Sequence, residues 1–191
     1  MKLVKTTNWD EVFEGWASRE ERDPGWMECA TKIKGWPDWR SWRGFSATML
    51  GLQKKIWKVF EIENPLEEIP NMLVGPYTGW QKRHPNTNLF TFSELLEAPE
   101  EYEAWSKNPK ILDIIAHFPS ETQFIALLRE DINKIVCIEG HHRAVALALA
   151  KKDGLKVNID GASTLALANL EKDETTLLEK ALKRGSTKDP V

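Results

Sequence analysis

The stretch that most constrains this chain is Lys134-Ile135-Val136-Cys137-Ile138-Glu139-Gly140-His141-His142-Arg143, which runs directly into Ala144-Val145-Ala146-Leu147-Ala148-Leu149-Ala150. The first five residues are apolar and rich in β-branched side chains, so they read as a buried strand. The alanine-rich run reads as a helix packed on most of its circumference and closed by Lys151, Lys152 and Gly154. A strand that enters a helix through one glycine leaves the first N–H groups of that helix unpaired at the turn. Those donors and the helix dipole both favour negative charge. Arg143 adds a planar fork suited to phosphate or carboxylate oxygens. A cation in the first turn of a helix opposes the dipole, so Arg143 requires an anionic partner, either a ligand or a nearby Asp or Glu. The expectation is an anion pocket, and foremost a phosphate pocket, built from Gly140, His141, His142 and Arg143.

The same residues resemble the signature of the ParB/sulfiredoxin superfamily, a G-x-H-R or G-x-R-R turn between a strand and a helix. The string Glu139-Gly140-His141-His142-Arg143 is most similar to the branch written D-G-H-H-R, which includes archaeal free-serine kinases, with Glu in place of Asp. Upstream, Ile56–Ile62 followed by Pro65-Leu66-Glu67-Glu68-Ile69-Pro70-Asn71 resembles the opening strand and the P-L-x-x-I-x-P-N tail of that superfamily. The resemblance covers roughly residues 56–71 and 122–159. It implies a nucleotide (ATP, ADP or CTP) with its phosphates on the Gly140–Arg143 turn, and His142 donating to a phosphate. It also implies that Glu67 and Glu68 fold near the turn, which makes Glu68 a candidate catalytic carboxylate beside Glu139. Sulfiredoxins keep their reactive Cys where this chain has His141, so sulfinic-acid repair is excluded. The serine kinases carry a Glu just after the tail, where this chain reads Asn71-Met72-Leu73; that departure speaks against serine as the acceptor.

Glu139 has three candidate roles: capping the helix, holding Mg²⁺ directly or through water, or acting as a base. Adjacent His141 and His142 point about 100° apart on a helix and do not share one metal ion. With both cysteines remote, no zinc spacing is present, and no metal site is assigned.

Composition narrows the class. With 191 residues, one substantial core with decorations is expected. A net charge of −3, from 26 basic and 29 acidic residues, provides no global basic field for duplex nucleic acid. The longest apolar run is far too short to span a bilayer. Met1-Lys2-Leu3-Val4-Lys5 meets Asn8-Trp9-Asp10 without the apolar stretch of a signal peptide. Two distant cysteines, Cys29 and Cys137, point to a reducing compartment and a cytoplasmic location.

Six of the nine tryptophans fall before residue 43. Asn8 to Ser18 is expected to be a helix capped by Asn8 or Thr7, with Trp9, Val12, Phe13 and Trp16 on one face. The spacing of Trp36, Trp39, Trp42 and Phe45 predicts a second helix from about Asp38. That stripe is foremost core, and secondarily a platform for a nucleobase with the interleaved Arg40 and Arg43 as ligand contacts. Residues 71–93 read as a long irregular connection carrying the basic patch Trp80-Gln81-Lys82-Arg83-His84. Helices are expected over Ser93–Trp105, with Ser93 as cap, over Ile111–Phe118 and over Asp173–Arg184, with a frayed tail from Gly185. Strands are expected at Ile56–Ile62, Thr122–Leu128, Lys134–Ile138 and Leu155–Ile159, with the Asp131-Ile132-Asn133 turn joining the second to the third.

The resulting expectation is an α+β fold, a compact mixed sheet surrounded by helices. Residues 1–53 form a Trp-rich extension packed on the core. Residues 54–172 form a ParB/sulfiredoxin-like domain with an insertion at about 71–118, and 173–191 a C-terminal helix and tail. The function expected is a nucleotide-binding phosphotransferase or NTPase acting on a small-molecule acceptor. The alternative is a ParB-like module associated with DNA or a protein complex, its nucleotide pocket regulatory or vestigial.

Overall fold

The computed structural model describes residues 1–119, 121–159 and 163–189. The chain opens with β1 (Lys2–Thr7), α1 (Trp9–Glu20), α2 (Pro24–Glu28) and α3 (Trp39–Met49). After β2 (Trp57–Glu61) come α4 (Pro65–Glu68), α5 (Thr78–Gln81), α6 (Phe92–Leu95), α7 (Pro99–Ser106) and α8 (Pro109–Ala116). The hairpin β3 (Thr122–Arg129) and β4 (Lys134–Glu139) leads into α9 (His141–Asp153), and β5 (Ser163–Leu170) and α10 (Thr176–Arg184) complete the order.

The fold is α+β, with helices around a five-stranded mixed sheet in the order β1-β2-β5-β3-β4. β3 pairs antiparallel with β4 and parallel with β5, while β2 joins β1 and β5 antiparallel. The period of two along each central strand divides the core into two layers. Phe124, Ala126, Cys137, Leu165 and Leu167 face α9 and the helices around it. Ile125, Leu127, Val136, Ile138, Ala166 and Ala168 face the tryptophan side, where Trp9, Trp16, Trp39 and Trp42 are buried. A sheet covered on both faces explains why β3 and β4 read as continuous apolar runs rather than as an alternation.

Several expected elements form where the side chains direct them. Asn8 caps α1 by accepting from Glu11 N–H at 3.0 Å, and Asp38 caps α3 by accepting from Ser41 N–H at 2.6 Å. Other expectations are corrected. Leu155–Ile159 is not a strand: Leu155 N–H closes α9 on Ala150 O, Val157 enters the core, and the strand is Ser163–Leu170. The single helix expected over Ser93–Trp105 is two helices, because Pro99 starts α7 and disfavours helical backbone at Ala98. The first of these is capped by Thr91 in a capping box with Glu94, not by Ser93. The tail after Gly185 is anchored rather than frayed over its described residues. Trp36 Nε1 donates to Ser186 O at 2.8 Å, and Lys188 N–H donates to Lys34 O at 2.8 Å.

The outer edge of β4 is covered by the connection that follows α4. Leu73 N–H donates to Ile135 O at 2.7 Å and Leu73 O accepts from Cys137 N–H at 2.9 Å, so the edge of the site-bearing strand is paired. No helix among the described residues is long and apolar enough to cross a membrane.

Candidate functional site

β4 delivers the chain to Gly140, whose φ of 106° lies in the left-handed region. A Cβ there would stand 2.4 Å from Phe124 Cδ1, so both the backbone angle and the neighbour demand glycine. α9 starts at the next residue, and no side chain among the described residues caps it. Its start lines a cleft of about 570 Å³. The other walls come from α1, α2 and α3, from Tyr77–Trp80, and from Lys110 on α8.

Arg143 lies at this start, but its fork is turned inward. Nη2 donates to Glu139 Oε1 and Oε2 at 2.5 and 2.7 Å and to Gln123 O at 3.3 Å, while Nη1 donates to the Thr122 hydroxyl. The guanidinium also lies 5.1 Å from the Phe124 ring centroid. The anionic partner that the sequence required is therefore supplied from within, by Glu139. Both side chains are nearly enclosed, Glu139 at 8% exposure and Arg143 at 14%.

The two histidines diverge. His141 Nε2 accepts from Gly75 N–H at 3.1 Å, so the hydrogen-bond pattern places the ring proton on Nδ1, 3.7 Å from Cys137 Sγ. Burial above all, then His142 and Arg43, hold its pKa down at about 3. His141 thus fastens the 72–75 segment to α9. Gly75 belongs to the same joint, since a Cβ on it would meet Cys137 O at 2.1 Å. His142 instead borders the cleft among the rings of Trp80, Trp105 and Trp26, with centroids 5.3, 6.3 and 6.4 Å away. Burial first, then Lys110 and Arg143, depress its pKa to about 4, so the imidazole is neutral at pH 7.

Glu68 is not brought to this cleft. It caps its own helix by accepting from Asn64 N–H at 3.0 Å and lies 3.7 Å from the Met1 ammonium, while Glu67 pairs with Lys151 at 2.5 Å. The basic patch at Trp80–His84 is largely consumed by packing. Gln81 bonds Val74 O and Gly75 O at 2.8 and 2.9 Å, Arg83 pairs with Glu101 at 2.7 Å, and His84 stacks on Phe90. Trp39 and Trp42 are core, as foremost expected of that stripe, while Trp36 is half-buried; Trp26 and Trp80 are half-buried rings that border the cleft.

Sequence reasoning missed Glu20, Trp26 and Lys110, which line the cleft together with Arg43, a secondary ligand candidate in the sequence. The Arg43 guanidinium stacks 3.8 Å from the Trp42 ring centroid and 4.8 Å from that of Trp16, and reaches Glu20 at 3.4 Å. Arg43 Nε and Trp42 Nε1 are buried donors without an acceptor among the described residues. Trp16 Nε1 is a third such donor on the same wall, and all three atoms are closed off from solvent. The sequence signal for Arg43 was the basic–aromatic interleaving of Trp39-Arg40-Ser41-Trp42-Arg43. Among the described residues, no three His, Cys, Asp or Glu side chains converge as a metal site.

The chain matches no protein-family model, and no match to it was found among curated proteins or solved structures.

Proposed function

We propose that the protein is a nucleotide-binding enzyme of the phosphotransferase or NTPase class, with ATP, ADP or CTP phosphates at the start of α9. One observation carries this reading: α9 begins uncapped at a positive-φ glycine and opens onto a cleft of about 570 Å³. Free N–H groups and the helix dipole favour anionic oxygens there, and the volume is within the range of small-molecule sites. Because the Arg143 fork is held by Glu139, the phosphates depend on the backbone donors, on a neutral His142 and on the nearby cation Lys110. Trp26, with Arg43 and Lys110 over its ring, and Trp80, stacked on Trp105, form an aromatic border against which the base would lie. Mg²⁺ bound with the nucleotide would supply charge to the phosphates, but Glu139, clasped through both oxygens by Arg143, is not free to hold it. The acceptor is a small molecule or water. Resemblance to the ParB/sulfiredoxin turn supports the same placement.

The test is a titration followed by tryptophan fluorescence and by thermal shift, with and without Mg²⁺. ATP, ADP or CTP should quench the cleft tryptophans and raise the melting temperature, since a ligand specific for the native state stabilises it. His142→Ala and Lys110→Ala should each weaken binding about tenfold, near the value of one charge-assisted hydrogen bond. Nucleotide binding unchanged in both variants would remove the phosphates from this turn.

A further inference from the structure

Glu20 ends α1 on the wall of the same cleft, in surroundings unlike those of Glu139. Glu139 is clasped through both oxygens by Arg143. Glu20 is held less tightly: Trp39 Nε1 and Arg43 Nη2 both reach Oε2, at 3.2 and 3.4 Å, and the Trp16 indole lies beside the carboxylate. Its Oε1 receives no hydrogen bond from the described residues, although the side chain is only 13% exposed. A carboxylate fixed in place by an indole and a guanidinium, yet with a spare oxygen on a cleft, is arranged for proton exchange with something in that cleft.

The charged and titratable groups around it come from each neighbouring element. Arg19 is on its own helix, Arg43 on α3, Glu139 on β4 with Arg143 on α9, and Tyr77 precedes α5. Burial first, then Glu139, raises the Glu20 pKa, opposed by Arg43 and by the Trp16 and Trp39 indoles. Two carboxylates in one cleft whose surroundings differ in this way are the usual arrangement for dividing acid–base roles.

We propose that Glu20 is the proton-transferring carboxylate of this cleft, taking the proton of a hydroxyl group as its oxygen attacks the terminal phosphorus of the bound nucleotide. This rests on the nucleotide reading above. In the step, the hydroxyl oxygen forms a bond to phosphorus and its proton passes to Glu20 Oε1. The bond from that phosphorus to the bridging oxygen breaks, and its electron pair stays on the departing nucleotide. The hydroxyl belongs to water or to an alcohol; the chemistry at Glu20 is the same for both.

The experiment measures nucleotide binding by fluorescence and nucleotide turnover from pH 5 to 9 for wild type, Glu20→Gln and Glu20→Asp. Turnover is measured in water alone and with a panel of polyols and amino alcohols, which separates hydrolysis from transfer. Glu20→Gln keeps an acceptor for Trp39 and should bind nucleotide within about threefold of wild type. Its turnover should fall about 10²- to 10⁴-fold, the range for one general acid–base group, and the rising acid limb of the profile should vanish. Glu20→Asp should retain part of the rate and the limb, which a merely structural role would not produce. Glu20→Gln with wild-type turnover, or a lowered rate with an unchanged pH profile, overturns the assignment while leaving nucleotide binding intact. So does a wild-type protein that binds nucleotide and turns it over under none of these conditions. A wild-type protein that binds no nucleotide defeats the nucleotide reading and this inference together.

Discussion

Individual side chains at this turn do work that their types alone leave open. His141 and His142 are adjacent, yet one joins the 72–75 segment to α9 and the other borders the cleft. Both are held neutral by burial, with pKa values of about 3 and about 4 against an unfolded value of 6.5. Between those values the unfolded chain binds protons that the native chain refuses, so stability is complete above about pH 6.5 and declines as pH falls toward 4. From pH 6.5 to 5 the loss is about 2 kcal/mol for His141, at about 1.4 kcal/mol per pH unit, and less for half-buried His142. Denaturant unfolding at pH 7 and pH 5 measures it. His142→Gln should reduce the pH dependence, and an identical slope in that variant would contradict a neutral, enclosed His142. The presence of an imidazole at each position was legible in the sequence. Which one was structural was not, because that depends on Gly75, 66 residues away.

Among the elements, those with strong local signals were read correctly. The starts of α1 and α3 announce themselves through Asn8 and Asp38 followed by periodic tryptophans. The β3–β4 hairpin is signalled by two apolar runs with a short polar turn between them. β1 and β5 gave no such signal. β1 is an edge strand of Lys, Thr and two exposed apolar residues, and β5 is rich in Ala and Leu, which favour helix in isolation. β5 is nevertheless placed between β2 and β3, with the small Ala166 and Ala168 on the tryptophan side of the sheet. The junction of β4 with α9 also carries a prediction. Arg143 and Glu139 form a nearly enclosed ion pair across one turn, so removing one partner leaves a charge without compensation. Arg143→Met should destabilise the protein by about 3–5 kcal/mol, and adding Glu139→Gln should restore much of that loss. Equilibrium unfolding of the single and double variants reads the coupling; additive losses would show that the pair is not a unit.

At the scale of the whole molecule, the distribution of charge bears on partners. With 26 basic against 29 acidic residues, the chain has no excess of positive charge. Many of its cations are engaged with carboxylates, as in Arg40 with Glu14 and Glu21, Arg83 with Glu101, and Lys55 with Glu174. Duplex DNA binding gains its strength from several free cations on one face. Anisotropy titrations with mixed-sequence duplex should therefore show weak binding that disappears at moderate salt. Tight binding that survives about 200 mM salt would favour the DNA-associated alternative.

The sequence by itself determined the strand–glycine–helix joint, the need of Arg143 for an anion, and the α+β class, because each rests on interactions within a few residues or on period alone. Tertiary structure decided the rest. It turned the Arg143 fork inward onto Thr122 and Gln123 as well as Glu139, and it decided for Trp39 and Trp42 between core and platform by burying them. It left Glu68 on its own short helix, and it brought Glu20, Arg43 and Trp26 from the N-terminal segment to the start of α9. The cause is that both faces of the central strands are apolar and require cover. The tryptophan-rich helices are buried on one of those faces, and their Arg and Glu side chains reach the cleft only because of that packing.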